Sequence, residues 1–191
     1  QLDLFARVAL PEVISRKRAT SEPKQLKIWS AGCSTGQEAY TLAMLANEAV
    51  LPMFTWGAQI LGTDISPTVI ETARAGVYPK ARLDTMPASM RARYFDDLGA
   101  QLRVKETLKR LVTFRQHNLR ENFPAERFDV IFCRNVMIYF TRQEQIRLAQ
   151  RFAERLAPEG FLFIGHSESL QGLGVGLKMR LHNGGVAYQK E

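Results

Sequence analysis

A glycine-rich turn followed by an acid is the stretch of this sequence best suited to binding a ligand. The turn, GCSTG at 32–36, follows a short apolar run and precedes a helical pattern that begins at Gln37. Glycines let the backbone approach a ligand closely, and a helix N-terminus offers free N–H groups. The turn lacks both the Gly-Lys-Ser/Thr of a phosphate loop and the full G-x-G-x-x-G of a dinucleotide site.

The acid that follows this turn, Glu38, indicates what kind of ligand fits there. A carboxylate at this point would repel a pyrophosphate and attract an ammonium group. The pattern therefore favours a nucleoside with an amino-acid tail, S-adenosylmethionine (SAM). The alternative is that Gly32 and its neighbours form the ordinary βα turn of an α/β protein.

A second acid, Asp64, ends the next predicted strand (59–64), 28 residues after Gly36. Nucleoside-binding α/β folds place an acid there against the ribose hydroxyls. The alternative is a charge serving the following helix dipole. Since Ser66 is predicted to cap that helix and Pro67 suits its first position, we favour the ribose role.

Composition indicates one domain of ordinary globular character. The chain has 191 residues, of which 46% are hydrophobic and 24% charged. No apolar run approaches the roughly 18 residues that span a bilayer, and no signal peptide is recognisable, so a cytoplasmic protein is predicted. The sequence starts at Gln1 rather than Met, which suggests part of a longer protein. Cys33 and Cys133 are predicted to be buried hydrophobes, and no metal site is predicted.

Positive charge is concentrated in one segment. The net charge is +7, and residues 74–115 carry ten Lys/Arg against four acids, 10 − 4 = +6. Such a surface attracts an acidic partner, although a solvated face without a partner is the alternative. Aromatic residues that could stack on bases are few in this segment, which argues against single-stranded nucleic acid.

The apolar patterns predict a parallel α/β sheet with an interruption. Predicted helices cover 3–16, 37–50, 67–75, 87–94 and 142–156, and a polar linker covers 17–24. Predicted strands cover 26–31, 59–64, 112–114, 128–133 and 161–164. The interruption at 77–115 is interpreted as an antiparallel excursion of strands 101–105 and 111–115. Strands 178–182 and 186–189 flank Asn183-Gly184-Gly185, a hairpin signal. A hairpin closing a parallel sheet is typical of a class I methyltransferase rather than a dehydrogenase.

With these stretches together, the sequence resembles the CheR family of chemotaxis receptor methyltransferases. The matching stretches are WSAGCSTGQEAYTLA (29–43), LGTDIS (61–66), ARAGVY (73–78), HNL (117–119), FDVIFCRNVMIYF (128–140) and GHSES (165–169). The resemblance implies a Rossmann-like sheet that binds SAM and methylates receptor glutamate side chains. It also implies chemotaxis signal transduction, S-adenosylhomocysteine (SAH) as the second product and a location at membrane receptor arrays.

The resemblance implies a role for each matched position. Glu38 matches the acid at the amino-acid or ribosyl end of the cofactor, and Tyr139 a tyrosine near the transferred methyl group. The implied cofactor-binding residues are Gly32, Glu38, Asp64, Asn118, Leu119, Arg134 and Asn135, and the implied catalytic residues are Tyr139 and Arg134. The alternatives are a core tyrosine for Tyr139 and, preferred in its case, a loop histidine bonding the backbone for His166.

The sequence departs from the family pattern at two places. Family members carry an N-terminal helical domain and an Asn-x-Thr-x-Phe-Phe-Arg segment, so residues 1–25 are interpreted as the helix and linker left from that domain. Residues 26–191 form the predicted methyltransferase domain, with the insertion at about 77–115, and the stretch alone is expected to have low activity. The loop at 96–101 is short, which implies independence of a receptor C-terminal peptide.

Two other functions stay open from the sequence. The positive charge could serve a nucleic-acid methyltransferase, but NVMIY at 135–139 lacks the two prolines of the Asp/Asn-Pro-Pro-Tyr signature. A non-catalytic SAM-binding regulatory module is the second alternative. The favoured partners are the acidic cytoplasmic helices of chemoreceptors, reached through the 74–115 segment, with no nucleic acid and no membrane insertion.

Overall fold

A computed structural model describes residues 1–166, 168–170, 172 and 174–191. It contains one seven-stranded sheet, in the order β6-β2-β1-β7-β8-β10-β9, and one three-stranded sheet, in the order β3-β5-β4. The strands are β1 Gln25–Ala31, β2 Gly57–Asp64, β3 Val77–Pro79, β4 Phe95–Asp97, β5 Gln101–Val104, β6 Val112–Gln116, β7 Phe128–Cys133, β8 Leu156–Ile164, β9 Leu177–His182 and β10 Gly185–Lys190.

The helices follow the predicted alternation with strands. They are α1 Leu2–Leu4, α2 Leu10–Ala19, α3 Gln37–Val50, α4 Pro67–Ala75, α5 Ala88–Tyr94, α6 Glu106–Lys109 and α7 Arg142–Arg155. A π-helical turn Phe5–Ala9 joins α1 to α2, and 3₁₀ turns cover Lys80–Leu83 and Met137–Tyr139. Among the described residues, no helix is both long enough and apolar enough to span a membrane.

The order of the parallel strands changes direction beside β1. Ile28 of β1 pairs in parallel with Ile60 of β2 on one side and with Val130 of β7 on the other. Connections leave β1 and β7 toward opposite halves of the sheet, so a crevice opens at their carboxyl ends. Open α/β sheets bind their ligands at this kind of switch point.

The chain ends in the predicted antiparallel hairpin. Strand β10 pairs antiparallel with both β8 and β9. The two turn residues, Asn183 and Gly184, have φ of 46° and 74°, as a type I′ turn requires. The fold class predicted from the sequence, a Rossmann-like class I methyltransferase sheet with this hairpin and a small antiparallel insertion, is confirmed.

The antiparallel insertion does not include residues 111–115, for which the apolar pattern allows both an antiparallel and a parallel strand. Strand β5 pairs antiparallel with β3 and β4, but Val112–Gln116 pairs in parallel with β2 in the main sheet. The antiparallel assignment of 111–115 is therefore wrong, and its assignment as the third parallel strand is confirmed. The reason is packing: a Cβ on Gly62 would lie 2.6 Å from the Phe114 ring, so this strand and β2 fit closely side by side.

The first helix packs on the main sheet. Phe5 is fully buried, with its ring edge-on to Phe132 at 5.3 Å and to Phe163 at 6.1 Å between centroids. Its π-helical turn precedes Pro11, which has no N–H and whose ring crowds the carbonyl four residues earlier. The helix runs to Ala19, so the linker predicted from residue 17 begins later.

A buried ion cluster ties this helix to the amino end of β7. Asp129 accepts hydrogen bonds from Arg16 at 2.5 Å and from the Lys27 N–H at 2.8 Å, and the Lys17 ammonium lies 3.1 Å away. The side chains of Asp129, Lys17 and Arg16 are 2%, 6% and 8% exposed. Asp129 is therefore the polar exception in an otherwise apolar strand because it has cationic partners.

Candidate cofactor site

A cavity of about 270 Å³ opens at the carboxyl ends of β1, β2 and β6. Its wall is formed by Gly32, Asp64, Ile65, His117, Asn118, Leu119, Arg120, Val136, Tyr139 and Phe140. Five residues selected from the sequence are therefore brought together here. Glu38, in the first turn of α3, and Arg134 and Asn135, on the loop after β7, are not among these lining residues.

The glycine turn forms one edge of the cavity. Gly32 has φ of 85°, and its N–H donates to the carbonyl of Thr63 at 2.8 Å. A Cβ at Gly32 would come within 2.4 Å of Val136 Cγ2. Glycine is required here by the positive φ and by the close approach of the loop that follows β7.

Asp64 joins the turn after β1 to the turn after β2. Its Oδ2 accepts from the Ser34 N–H at 2.9 Å, and its Oδ1 accepts from the Ser66 N–H at 3.1 Å. Ser66 is the N-cap residue of α4, as predicted, but among the described residues its hydroxyl makes no capping bond, and Asp64 bonds the backbone at the start of α4 instead. Each carboxylate oxygen keeps a lone pair for a further donor.

Glu38 and Arg134 form an ion pair beside the glycine turn. Glu38 Oε1 accepts from the Ser30 hydroxyl at 2.8 Å, and Oε2 accepts from Arg134 at 3.3 Å. Burial raises the pKa of Glu38 above its ordinary value, against the opposing effects of Ser30 and Arg134. Among the described residues the buried Nε of Arg134 has no hydrogen-bond partner, which leaves one donor of this pair unused.

The loop after β6 supplies a polar and an apolar contact. Asn118 Oδ1 accepts from the Arg120 N–H at 3.0 Å, which fixes the side-chain amide of Asn118. Leu119 is buried, and its carbonyl accepts from Arg151 at 2.8 Å. This loop therefore presents a fixed amide and an apolar surface to the cavity.

His117 in the same loop was not selected from the sequence, although it begins the matched HNL stretch. Within the described residues its buried Nε2 has no hydrogen-bond partner. Burial lowers the pKa of His117, so the ring is neutral at neutral pH. The ring centre lies 6.1 Å from that of Trp29, whose indole N–H donates to Thr63 Oγ1 at 2.9 Å.

Tyr139 lies at the mouth of the cavity with 76% of its surface exposed. The alternative of a core tyrosine is therefore wrong. Asn135, earlier in the same loop, is exposed and has φ of 58°. His166 is exposed in a turn, and Ser167 of the GHSES stretch lies outside the described residues.

Four further lining residues were not selected from the sequence, namely Ile65, Arg120, Val136 and Phe140. The Arg120 guanidinium lies 4.8 Å from the centre of the Phe140 ring and 3.2 Å from Glu144. Glu144 also completes a capping box with Thr141 at the start of α7.

Both cysteines are buried and free, as predicted, and burial raises the pKa of Cys33 to about 12.

The basic segment 74–115 is partly neutralised by its own surroundings. Arg93 contacts Glu48 at 2.7 Å and Arg91 contacts Asp84 at 3.6 Å. Three more of its cations have acidic partners, in the pairs Lys80–Asp97, Arg103–Asp96 and Lys109–Glu106. Arg74, Arg82, Arg110 and Arg115 are exposed and have no acidic partner among the described residues, so they carry positive charge that is available to a partner.

Comparison with known proteins identifies the family of this chain. The family model described as "CheR methyltransferase, SAM binding domain" matches residues 1–180. A "Chemotaxis protein methyltransferase" of Borreliella burgdorferi is 41% identical over 174 residues, covering 89% of this chain and 61% of that protein. A "Chemotaxis protein methyltransferase 2" of Pseudomonas aeruginosa is 44% identical over 159 residues, covering 80% and 56%.

A third relative is similar over nearly the whole chain. The "Chemotaxis protein methyltransferase" of Vibrio parahaemolyticus is 40% identical over 185 residues, covering 94% of this chain and 65% of that protein. The chain thus spans about three fifths of the length of these relatives.

Proposed function

Since this chain belongs to the CheR methyltransferase family, whose SAM-binding domain it carries, we propose that its protein methylates glutamate side chains of chemoreceptors. The products would be γ-glutamyl methyl esters and SAH. SAM is the cofactor of the domain. The observation that carries the proposal is the cavity at the switch point, where Gly32, Asp64 and Tyr139 meet.

The residues present fit SAM in charge and in size. A cavity of about 270 Å³ suits the adenosyl part, with Asp64 placed to accept from ribose hydroxyls and with Asn118 and Leu119 beside the base. Glu38 supplies a negative charge for an ammonium group, and the unused Nε of Arg134 is a donor for a carboxylate. This Glu38–Arg134 pair matches the two charged ends of the methionine part.

The proposed chemistry needs no base from the chain. When bound, SAM supplies a methyl group on a sulfonium, which a carboxylate can accept without proton transfer. A glutamate side chain has a reference pKa of about 4.3 and is therefore ionised at neutral pH. The work left to the chain is orientation and exclusion of water. We assign orientation of the substrate carboxylate to Tyr139 and Arg134, the first at the mouth and the second on the loop after β7.

The proposed partners are the acidic cytoplasmic helices of chemoreceptors. The exposed Arg82, Arg110 and Arg115 favour an acidic surface over a neutral one. The turn between β4 and β5 is short, which supports docking independent of a receptor C-terminal peptide. The protein would then act in the cytoplasm, at membrane receptor arrays.

A labelling experiment tests the proposal. Full-length protein, SAM with a radiolabelled methyl group, and receptor-containing membranes should give a protein label that mild base releases as volatile methanol. A base-stable label on protein, or label in added RNA, would contradict carboxylate methylation and would favour a nucleic-acid methyltransferase in the second case. SAH binding by calorimetry without any transfer would identify a regulatory module.

A further inference from the structure

One carboxylate bonds three backbone N–H groups at the carboxyl ends of β7 and β8. Glu168 Oε2 accepts from the Gly165 N–H and, at 3.3 Å, from the Asn135 N–H. Its Oε1 accepts from the Ile138 N–H at 3.2 Å. Gly165 and Glu168 follow β8, whereas Asn135 and Ile138 belong to the loop after β7. Glu168 therefore connects two loops that no strand pairing holds together.

The backbone around this contact is shaped to receive it. Asn135 has φ of 58°, a left-handed conformation that few residues other than glycine adopt readily. A Cβ at Gly165 would lie 2.7 Å from both Asn135 Oδ1 and Glu168 Oε2, so only glycine admits the two side chains. A conformation of this kind persists only where surrounding contacts determine it.

The loop held in this way carries the residues of the methionine side of the site. It begins at Arg134, which pairs with Glu38, and ends at Tyr139 in the cavity mouth. On its other side Val136 packs on Gly32, and Gln145 of α7 donates to the Met137 carbonyl at 2.9 Å. The contact with Glu168 differs from these because it binds the loop's N–H groups and comes from the loop after the neighbouring strand, β8.

We infer that Glu168 is a positioning residue, which holds the loop 134–139 in the shape that the methionine part of the cofactor requires. It acts through the backbone of Asn135 and Ile138 and does not itself contact cofactor or substrate. The inference rests on the proposed function for its consequence in catalysis, but the clamp itself can be measured without turnover. Asp64, Asn118 and Leu119, which we assign to the adenosine part, lie on other loops, so adenosine binding should depend on Glu168 much less than binding of the amino-acid part does.

The test compares two ligands and one exchange measurement in Glu168→Ala and Glu168→Gln. SAH carries the amino-acid part, and 5′-methylthioadenosine lacks it. In Glu168→Ala we expect SAH affinity to fall by about tenfold or more, since a hydrogen bond to a charged group contributes over a decade in an equilibrium constant. Affinity for 5′-methylthioadenosine should change by no more than about twofold. This corresponds to about 0.4 kcal/mol, which is less than the net free energy that one hydrogen bond contributes. Amide exchange at Asn135 and Ile138 should accelerate while exchange in β7 does not.

Controls separate the clamp from general damage. Glu168→Gln keeps one acceptor oxygen and should lie between wild type and Glu168→Ala, and the exposed Glu154→Gln on α7 should match wild type. Equal weakening of both ligands, or unchanged exchange at Asn135 and Ile138, would overturn the inference. If wild type binds SAH but transfers no methyl group, the proposed function fails, while exchange and the two affinities still decide the role of Glu168.

Discussion

The two ends of the central sheet hold carboxylates in opposite ways. At the amino end of β7, Asp129 is 2% exposed and has Arg16, Lys17 and a backbone N–H as partners. At the carboxyl ends, Asp64 lines a cavity, and its partners within the described ranges are two backbone N–H groups. A buried charge saturated by its own protein serves the fold, and one left with free lone pairs at a switch point is available to a ligand.

The largest effect should come from replacing Asp129, the fully paired carboxylate at the amino end of β7. Asp129→Ala leaves the buried Arg16 and Lys17 with Glu22, 3.4 Å from each, as their remaining carboxylate partner, so we expect the free energy of unfolding to fall by about 3 kcal/mol. Urea denaturation followed by circular dichroism measures this loss. SAH affinity of the folded fraction should be unchanged. A large loss of affinity with intact stability would show that Asp129 serves the ligand rather than the fold.

For Asp64, at the carboxyl end of β2, the loss of ligand affinity should outweigh the loss of stability. Asp64→Ala removes an acceptor for ribose hydroxyls, and we expect SAH binding to weaken by roughly 1.5–3 kcal/mol. The accompanying loss of unfolding free energy should be smaller than in Asp129→Ala, because only two backbone bonds are lost. Titration calorimetry and urea denaturation of the same preparations give both numbers. Unchanged affinity in a folded variant would remove Asp64 from the site.

Glu38 offers a pH test of the same comparison. Because burial raises its pKa, Glu38 takes up a proton as the pH falls from neutral toward that raised value, and it then cannot pair with an ammonium group. SAH affinity of the wild type should therefore decrease on acidification, whereas in Glu38→Gln it should be weaker and less dependent on pH.

The sign for stability is opposite to the sign for binding. A carboxyl whose pKa is raised by folding favours the folded state when protonated, and this contribution is lost as the pH rises above that pKa. Without ligand, Glu38→Gln should therefore be no less stable than wild type at neutral pH. A marked loss of unfolding free energy would place Glu38 with Asp129, as a structural charge.

The smallest effect should come from the basic surface. Reversal of Arg82 and Arg110 to Glu should slow receptor methylation most at low salt, where screening is weakest. Reversal of Arg93 is the matched contrast, since it breaks the exposed pair with Glu48 and should lower stability slightly rather than change the steering of the receptor. An equal loss of rate at all salt concentrations would indicate a contact rather than steering.

Regular patterns explain what could be predicted from the sequence. Helix Gln37–Val50 and strand Phe128–Cys133 were predicted to the residue, because their apolar spacing and flanking turn residues are local signals. The bond from the Ser66 N–H to Asp64 was not predicted, because Asp64 and Ser66 can each serve the start of α4 and the local sequence does not indicate which side chain bonds the backbone. Local pattern likewise could not separate the two assignments of 111–115, which differ only in the partner strand.

In the site, too, residues marked by local sequence signals were predicted, and residues defined by contacts across the fold were not. Gly32, Asp64, Asn118, Leu119 and Tyr139 were found from the sequence and share one cavity. Glu168 and His117 were missed as functional residues, since a backbone-binding carboxylate and an unpartnered imidazole nitrogen are visible only in three dimensions. The proposed division at residue 25 and the assigned roles of the site residues stay predictions.

The placement of Trp29 has a spectroscopic consequence. The chain has two tryptophans, of which Trp29 is fully buried beside the His117 ring and Trp56 lies near the surface under the Lys24 ammonium. In a Trp56→Phe variant the remaining emission would come from an indole separated from the cavity by a single side chain. Quenching or a shift of that emission on adding SAH would then follow occupancy directly, without label and without a methyl acceptor.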